Sequence, residues 1–110
     1  MVVQALVRDG VTIRYCDEGQ RSAASTLVFA NSLGTDMRIW VDVARVFSET
    51  MRFVRYDKRG HGLSECPSGP YSMGALIRDA ETLLDHLNVS NCVFIGLSIG
   101  GMIAQGLAAK

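Results

Sequence analysis

The chain has no excess of either charge: eleven acidic and eleven basic side chains cancel over 110 residues. Nucleic acid and anionic membranes both require a clustered positive field, so neither is an expected partner. No apolar run approaches the roughly 20 residues that cross a bilayer. The first nine residues, Met1 to Asp9, lack the basic n-region and apolar core of a signal peptide, which leaves the cytoplasm as the default location. The three cysteines, Cys16, Cys66 and Cys92, form no CxxC pair. A zinc ribbon or thioredoxin-type site therefore has no support, and the cysteines read as buried or half-buried free thiols in a reducing compartment. No metal and no cofactor is expected. Repeats, low-complexity tracts and linkers are absent as well.

What is present is an alternation of short apolar runs with amphipathic stretches. Val2–Val7 and Val11–Tyr15 flank Asp9-Gly10, a dipeptide suited to the positive φ angles of a tight hairpin. Thr26–Ala30 is continuously apolar, as a strand covered on both faces should be, and Cys92–Gly96 reads the same way. Arg52–Asp57 is a mixed strand that ends at an aspartate. Helices are predicted over 36–47, with Thr35 or Asp36 as cap, over 72–87, and over 99–109. The stripe Leu76, Ala80, Leu83, Leu84 and Leu87 should face the core, with Arg78, Asp79, Glu81 and Asp85 on the polar face. Ala104, Leu107 and Ala108 should pack the last helix on the sheet. The expected fold is α/β: a mostly parallel sheet with helices on both faces, preceded by an antiparallel N-terminal hairpin.

A strand as apolar as Cys92–Gly96 belongs at the centre of a sheet, yet no strand follows the last helix. Residues 1–110 are therefore expected to form a partial domain. Its open side should associate with another copy or with a C-terminal complement.

Gly96-Leu97-Ser98-Ile99-Gly100-Gly101 follows a predicted strand and opens a helix, the context of the G-x-S-x-G nucleophile elbow. A turn that sharp strains Ser98 and pushes its hydroxyl out at the carboxyl end of the strand. Gly96 and Gly100 remove side chains that would collide within it. The Ile99 N–H, at a helix N-terminus, is placed to stabilise negative charge. A Rossmann loop would need glycine at Ser98, and a Walker loop would need a Lys-Ser/Thr pair that is missing. In serine hydrolases built on such an elbow, the loop after an earlier strand gives the second oxyanion donor. By position this is the N–H of Leu33, in Asn31-Ser32-Leu33-Gly34. His61 precedes the nucleophile, against the order Ser, acid, His. It reads as a structural residue fixing its turn with Asp57 and Arg59. His86, at the end of an amphipathic helix, reads as solvated.

These segments together are specific. Asn31-Ser32-Leu33-Gly34-Thr35-Asp36 with Trp40, Arg55–Ser64, Gly69-Pro70-Tyr71-Ser72 and the elbow resemble the amino-terminal part of α/β-hydrolases, 3-oxoadipate enol-lactonases in particular. The resemblance implies hydrolysis of the enol-lactone to 3-oxoadipate in the β-ketoadipate pathway of aromatic breakdown, with Ser98 as nucleophile and a small lactone or ester as substrate. It also implies that the acid and the histidine of the triad lie beyond this chain, in a region that follows a helical cap. Other readings are an esterase or carbon–carbon bond hydrolase of the same fold, and a ligand-binding relative or inactive fragment.

Overall fold

The computed structural model describes residues 2–20, 25–47, 49–67, 69 and 71–109; Met1, Pro70 and Lys110 lie outside them. The elements in chain order are β1 (Gln4–Arg8), β2 (Val11–Gly19), β3 (Thr26–Ala30), a 3₁₀ turn (Met37–Trp40) leading into α1 (Val41–Phe47), β4 (Arg52–Tyr56), α2 (Met73–His86), β5 (Cys92–Gly96) and α3 (Ile99–Ala108). The strands form one sheet in the order β1-β2-β4-β3-β5. β3 runs parallel to β4 and β5, while β2 is antiparallel to β1 and β4. The expected α/β architecture is the one observed.

The hairpin turns where its sequence demands. Asp9 and Gly10 have φ of 49° and 79°, the paired positive values of a two-residue turn matched to strand twist. β2 continues four residues beyond the predicted strand end at Tyr15, because its second half pairs with β4 from Tyr15↔Tyr56 to Gly19↔Arg52. Asp17 and Glu18 look like loop residues in isolation. In the sheet, Asp17 accepts two hydrogen bonds from Arg52 at 2.9 and 2.7 Å, and Glu18 accepts one from Arg55 at 3.0 Å.

The two faces of β3 and β4 each hold a core, which is why β3 is apolar without alternation. On one face Ile13, Tyr15, Val28, Val54 and Tyr56 pack with Leu76, Ala80 and Leu83 of α2 and Ile103 of α3. On the other, Leu27, Phe29 and Phe53 pack with Ala44 of α1 and with Trp40. Phe29 and Phe53 stack with ring centroids 4.2 Å apart. Each fully buried side chain of this size contributes about 1.5–3 kcal/mol.

Several expectations need correction. The helix predicted over 36–47 begins as a 3₁₀ turn. There the Asp36 carboxylate accepts the Arg38 N–H at 2.9 Å and Asp57 Oδ1 accepts the Met37 N–H at 2.7 Å, so side chains satisfy the first donors. β5, expected to be covered on both faces, is less buried than that: it pairs with β3 on one side and with nothing among the described residues on the other, and Val93 is 53% exposed. On α3 the buried positions are Gly100 and Ile103, with Ala108 exposed and Ala104 and Leu107 half-buried, because the sheet stops beneath their side of the helix. Only Cys16 is buried; Cys66 and Cys92 are exposed.

Asp79 is the largest departure. It was expected on the polar face of α2, but it is 2% exposed. It accepts from Arg8 at 2.8 Å and from Arg59 in a two-pronged pair at 2.6 and 2.9 Å. One carboxylate thus ties α2 to β1 and to the loop after β4. Removing it leaves the largely buried Arg59 guanidinium without its carboxylate, and Arg8 with only the exposed Asp9 at 3.5 Å. Asp79→Ala should cost about 3–5 kcal/mol in chemical denaturation, and exposed Arg78→Ala about 0.5 kcal/mol or less; equal effects would show that the buried cluster is not an anchor.

Candidate active site

Ser98 sits between β5 and α3 with φ 58° and ψ −117°. For a residue with a Cβ this is a strained conformation, costing on the order of 1–3 kcal/mol, and it persists only where the surroundings enforce it. Main-chain bonds on both sides do so. Leu97 N–H donates to Ala30 O at 3.0 Å, Gly100 N–H to Leu97 O at 3.0 Å and Gly101 N–H to Ser98 O at 2.8 Å. The turn has no room for side chains at its glycines. A Cβ on Gly96 would lie 2.1 Å from Gly100 C and O, and one on Gly100 would lie 2.2 Å from Ala30 O. Ser98 is exposed, and its hydroxyl does not cap its own helix.

The loop expected to face the elbow leaves the neighbouring strand at the same level. Ala30 and Gly96 are register partners, so Leu33 and Ile99 each lie three residues beyond matched strand ends. Among the described residues neither the Leu33 nor the Ile99 N–H has a hydrogen-bond partner. Leu33 is exposed, while the loop behind it is tied down. Buried Asn31 donates through Nδ2 to Thr35 O at 2.7 Å and to Thr35 Oγ1 at 3.1 Å, and Thr35 Oγ1 donates to Ser32 O at 2.8 Å. Gly34 takes φ 77° to close the turn.

Asp57 and Lys58, just beyond β4, anchor this region; the sequence reading gave Lys58 no role and Asp57 only that of a partner to His61. Asp57 Oδ1 holds the Met37 N–H, and Oδ2 accepts the Leu63 N–H at 2.8 Å. The loop wraps so closely that a Cβ on Gly62 would fall 2.2 Å from that carboxylate. Lys58, 1% exposed, donates to Asn31 O at 2.9 Å and Ser32 O at 3.2 Å. Burial pushes its ammonium down to about 8, with Asp57 partly offsetting the shift. The pattern of alternating charge and glycine marks a loop, but it does not say that two of the charges point inward.

Neither histidine stands beside Ser98. His61 Nδ1 lies 3.1 Å from Arg59 O; the expected partnership with Arg59 is present, whereas the Asp57 carboxylate is committed to the Met37 and Leu63 N–H groups. Its loop follows β4, two strand spacings (~10 Å) from β5. His86 ends α2, where Arg52 at the start of β4 reaches Leu87 O at 3.0 Å. That is the opposite end of the parallel strands from Ser98, roughly 15 Å away across a five-residue strand. A hollow of about 580 Å³ is also at that far end, lined by Leu84, Val89, Cys92, Phe94 and Leu107 beside β5. Among the described residues no three histidine, cysteine, aspartate or glutamate side chains converge as a metal site would require.

Residues 25–110 match a family described as alpha/beta hydrolase fold. The 3-oxoadipate enol-lactonase 2 of Acinetobacter baylyi is 39% identical over 103 residues, covering 94% of this chain and 38% of the relative. The crystal structure of the enol-lactonase from Burkholderia xenovorans superposes with a TM-score of 0.90 at 39% identity, over 97% of this chain and 42% of that one. Epoxide hydrolase 4 of Mus musculus is 42% identical over 71 residues, 63% of this chain and 20% of the relative. The chain thus spans well under half the length of the relatives it matches. By its strand order, its strained serine turn and this match over most of its length, the chain belongs to the alpha/beta hydrolase fold family.

Proposed function

We propose that the chain supplies the nucleophile and the oxyanion hole of a serine hydrolase that opens 3-oxoadipate enol-lactone. The observation that carries this reading is Ser98 in its strained turn, with the Ile99 and Leu33 N–H groups, unpartnered among the described residues, three residues beyond matched strand ends. The identity to two enol-lactonases, 39% in each case, favours that substrate over other esters. The epoxide hydrolase match, over a shorter stretch, keeps other hydrolase substrates as the competing reading.

In this reading Ser98 Oγ attacks the lactone carbonyl carbon while its proton passes to a histidine base. The carbonyl oxygen becomes negative and accepts hydrogen bonds from the Ile99 and Leu33 N–H groups. The ring carbon–oxygen bond breaks, the departing enol oxygen takes the proton, and the enol becomes a ketone. Water then releases the acyl group from Ser98. The base and its acid are assigned beyond residue 110, since His61 and His86 are held elsewhere. Further strands are assigned to the free side of β5, and the hollow beside β5 would receive their covering helix.

In the whole protein a fluorophosphonate should label Ser98, and Ser98→Ala should abolish both labelling and lactone hydrolysis. His61→Ala and His86→Ala should keep the labelling rate within about twofold; loss of labelling in a folded variant would make that histidine the base. A panel of lactones, simple esters and epoxides then separates the substrate readings.

Residues 1–110 alone should self-associate through the β5 edge, because an unpaired strand beside apolar surface templates further pairing. Sedimentation should give species larger than a monomer, reversed by adding the remaining part of a hydrolase domain. A monomer that melts cooperatively at high concentration would show that the β5 edge needs no partner.

A further inference from the structure

Lys58 is a buried charge with no carboxylate hydrogen-bonded to it among the described residues. Asp57, its neighbour, is already committed to the N–H groups of Met37 and Leu63. Lys58 gives its hydrogen bonds to two main-chain oxygens of a single loop, Asn31 O and Ser32 O. Taking an ammonium out of water is costly unless its surroundings compensate. Two carbonyls compensate only in part, which fits the downward displacement of its ionisation to about 8. At neutral pH it is still mostly a cation.

The identity of the second acceptor gives this arrangement a consequence. Ser32 O and the Leu33 N–H belong to the same peptide group. In a planar trans peptide the carbonyl and the N–H point in opposite directions. A buried ammonium that draws Ser32 O inward therefore turns the Leu33 N–H outward, and Leu33 is 69% exposed. A carbonyl that accepts from a cation also makes its own N–H a better donor, by ~10–30% for each bond in such a chain.

The elbow solves the same problem without a cation. The peptide that carries the Ile99 N–H has Ser98 O as its oxygen, and the first turn of α3 fixes that oxygen through Gly101 N at 2.8 Å and Met102 N at 3.4 Å. The Leu33 peptide has no helix directly behind it, since the 3₁₀ turn starts only at Met37. Lys58, with Thr35, does for Leu33 what α3 does for Ile99.

We propose that Lys58 is a positioning residue of the oxyanion hole: it grips Ser32 O and Asn31 O, and so aims and polarises the Leu33 N–H toward the oxygen that becomes negative when Ser98 attacks. This rests on the serine-hydrolase reading above. Lys58 touches no reacting atom. Its contribution is greatest when the oxyanion forms, so it acts on turnover more than on substrate binding.

The test compares wild type, Lys58→Met and Lys58→Gln in the whole protein, by fluorophosphonate labelling of Ser98 and by ester hydrolysis. In Lys58→Met, labelling and kcat should fall about 10–100-fold, approaching the loss of one oxyanion donor, with KM changed less than about threefold. Lys58→Gln keeps an N–H donor without the charge and should recover part of the loss; it decides the matter if Lys58→Met does not fold. A folded variant that labels at the wild-type rate, or one whose only change is a lower melting temperature, would overturn the positioning role and leave the serine reading intact. Failure of the wild type itself to label at Ser98 would overturn the serine reading and this role with it.

Discussion

The arrangement depends on how closely two pieces of main chain approach: the first turn of α3 lies directly on the end of β3. A single methyl on Gly100 would sit 2.2 Å from Ala30 O, and one on Gly96 would strike Gly100 itself. With that contact in place the chain has one way to pass from β5 into α3, and Ser98 must accept a positive φ to follow it. The same contact lies where β5 and β3 end in register, Ala30 opposite Gly96, three residues before Leu33 and Ile99. The strain at Ser98 and the close seat of α3 on β3 share one cause, which is the absence of side chains at two positions.

Around this contact the strand ends are fastened by buried charge rather than by apolar packing. Asp57 and Lys58 hold the loops above the sheet and Asp79 joins α2 to β1; at the opposite end of the strands Arg52 joins β2 to the end of α2. Such groups are poor devices for stability, because burial removes most of what the attraction supplies. They do specify geometry. A carboxylate with two N–H groups to satisfy, or an ammonium with two carbonyls, admits fewer arrangements than an apolar contact of equal area. That suits the proposed oxyanion hole, in which main-chain donors would have to be aimed.

The sequence made some of this legible and hid the rest for a definite reason. The Asp9-Gly10 turn, the doubly covered β3, the helix of Leu76, Ala80 and Leu83, and the Ser98 elbow are local patterns, each complete within a few residues. Lys58, Asp79 and the second half of β2 are different. Lys58 acts on a carbonyl 27 positions away, and Asp79 on an arginine 71 positions away. An aspartate on the outer face of an amphipathic helix and one buried between two arginines have the same local signature. β5 departs only in burial: its apolar run reads as a strand covered on both faces, but with one neighbour among the described residues its first residues are exposed.

The double membership of β2 also orders events in time. Its first half finds β1 across a two-residue turn, whereas Asp17 and Glu18 pair with arginines 35 and 37 positions later. At ~5–20 residues per second, a ribosome takes roughly 2–7 s to synthesise that stretch. During that interval the nascent hairpin carries a half-strand with no mate. Its two carboxylates repel neighbouring chains and discourage wrong pairing. When β4 emerges, the charges that kept the half-strand apart become the ones that capture it.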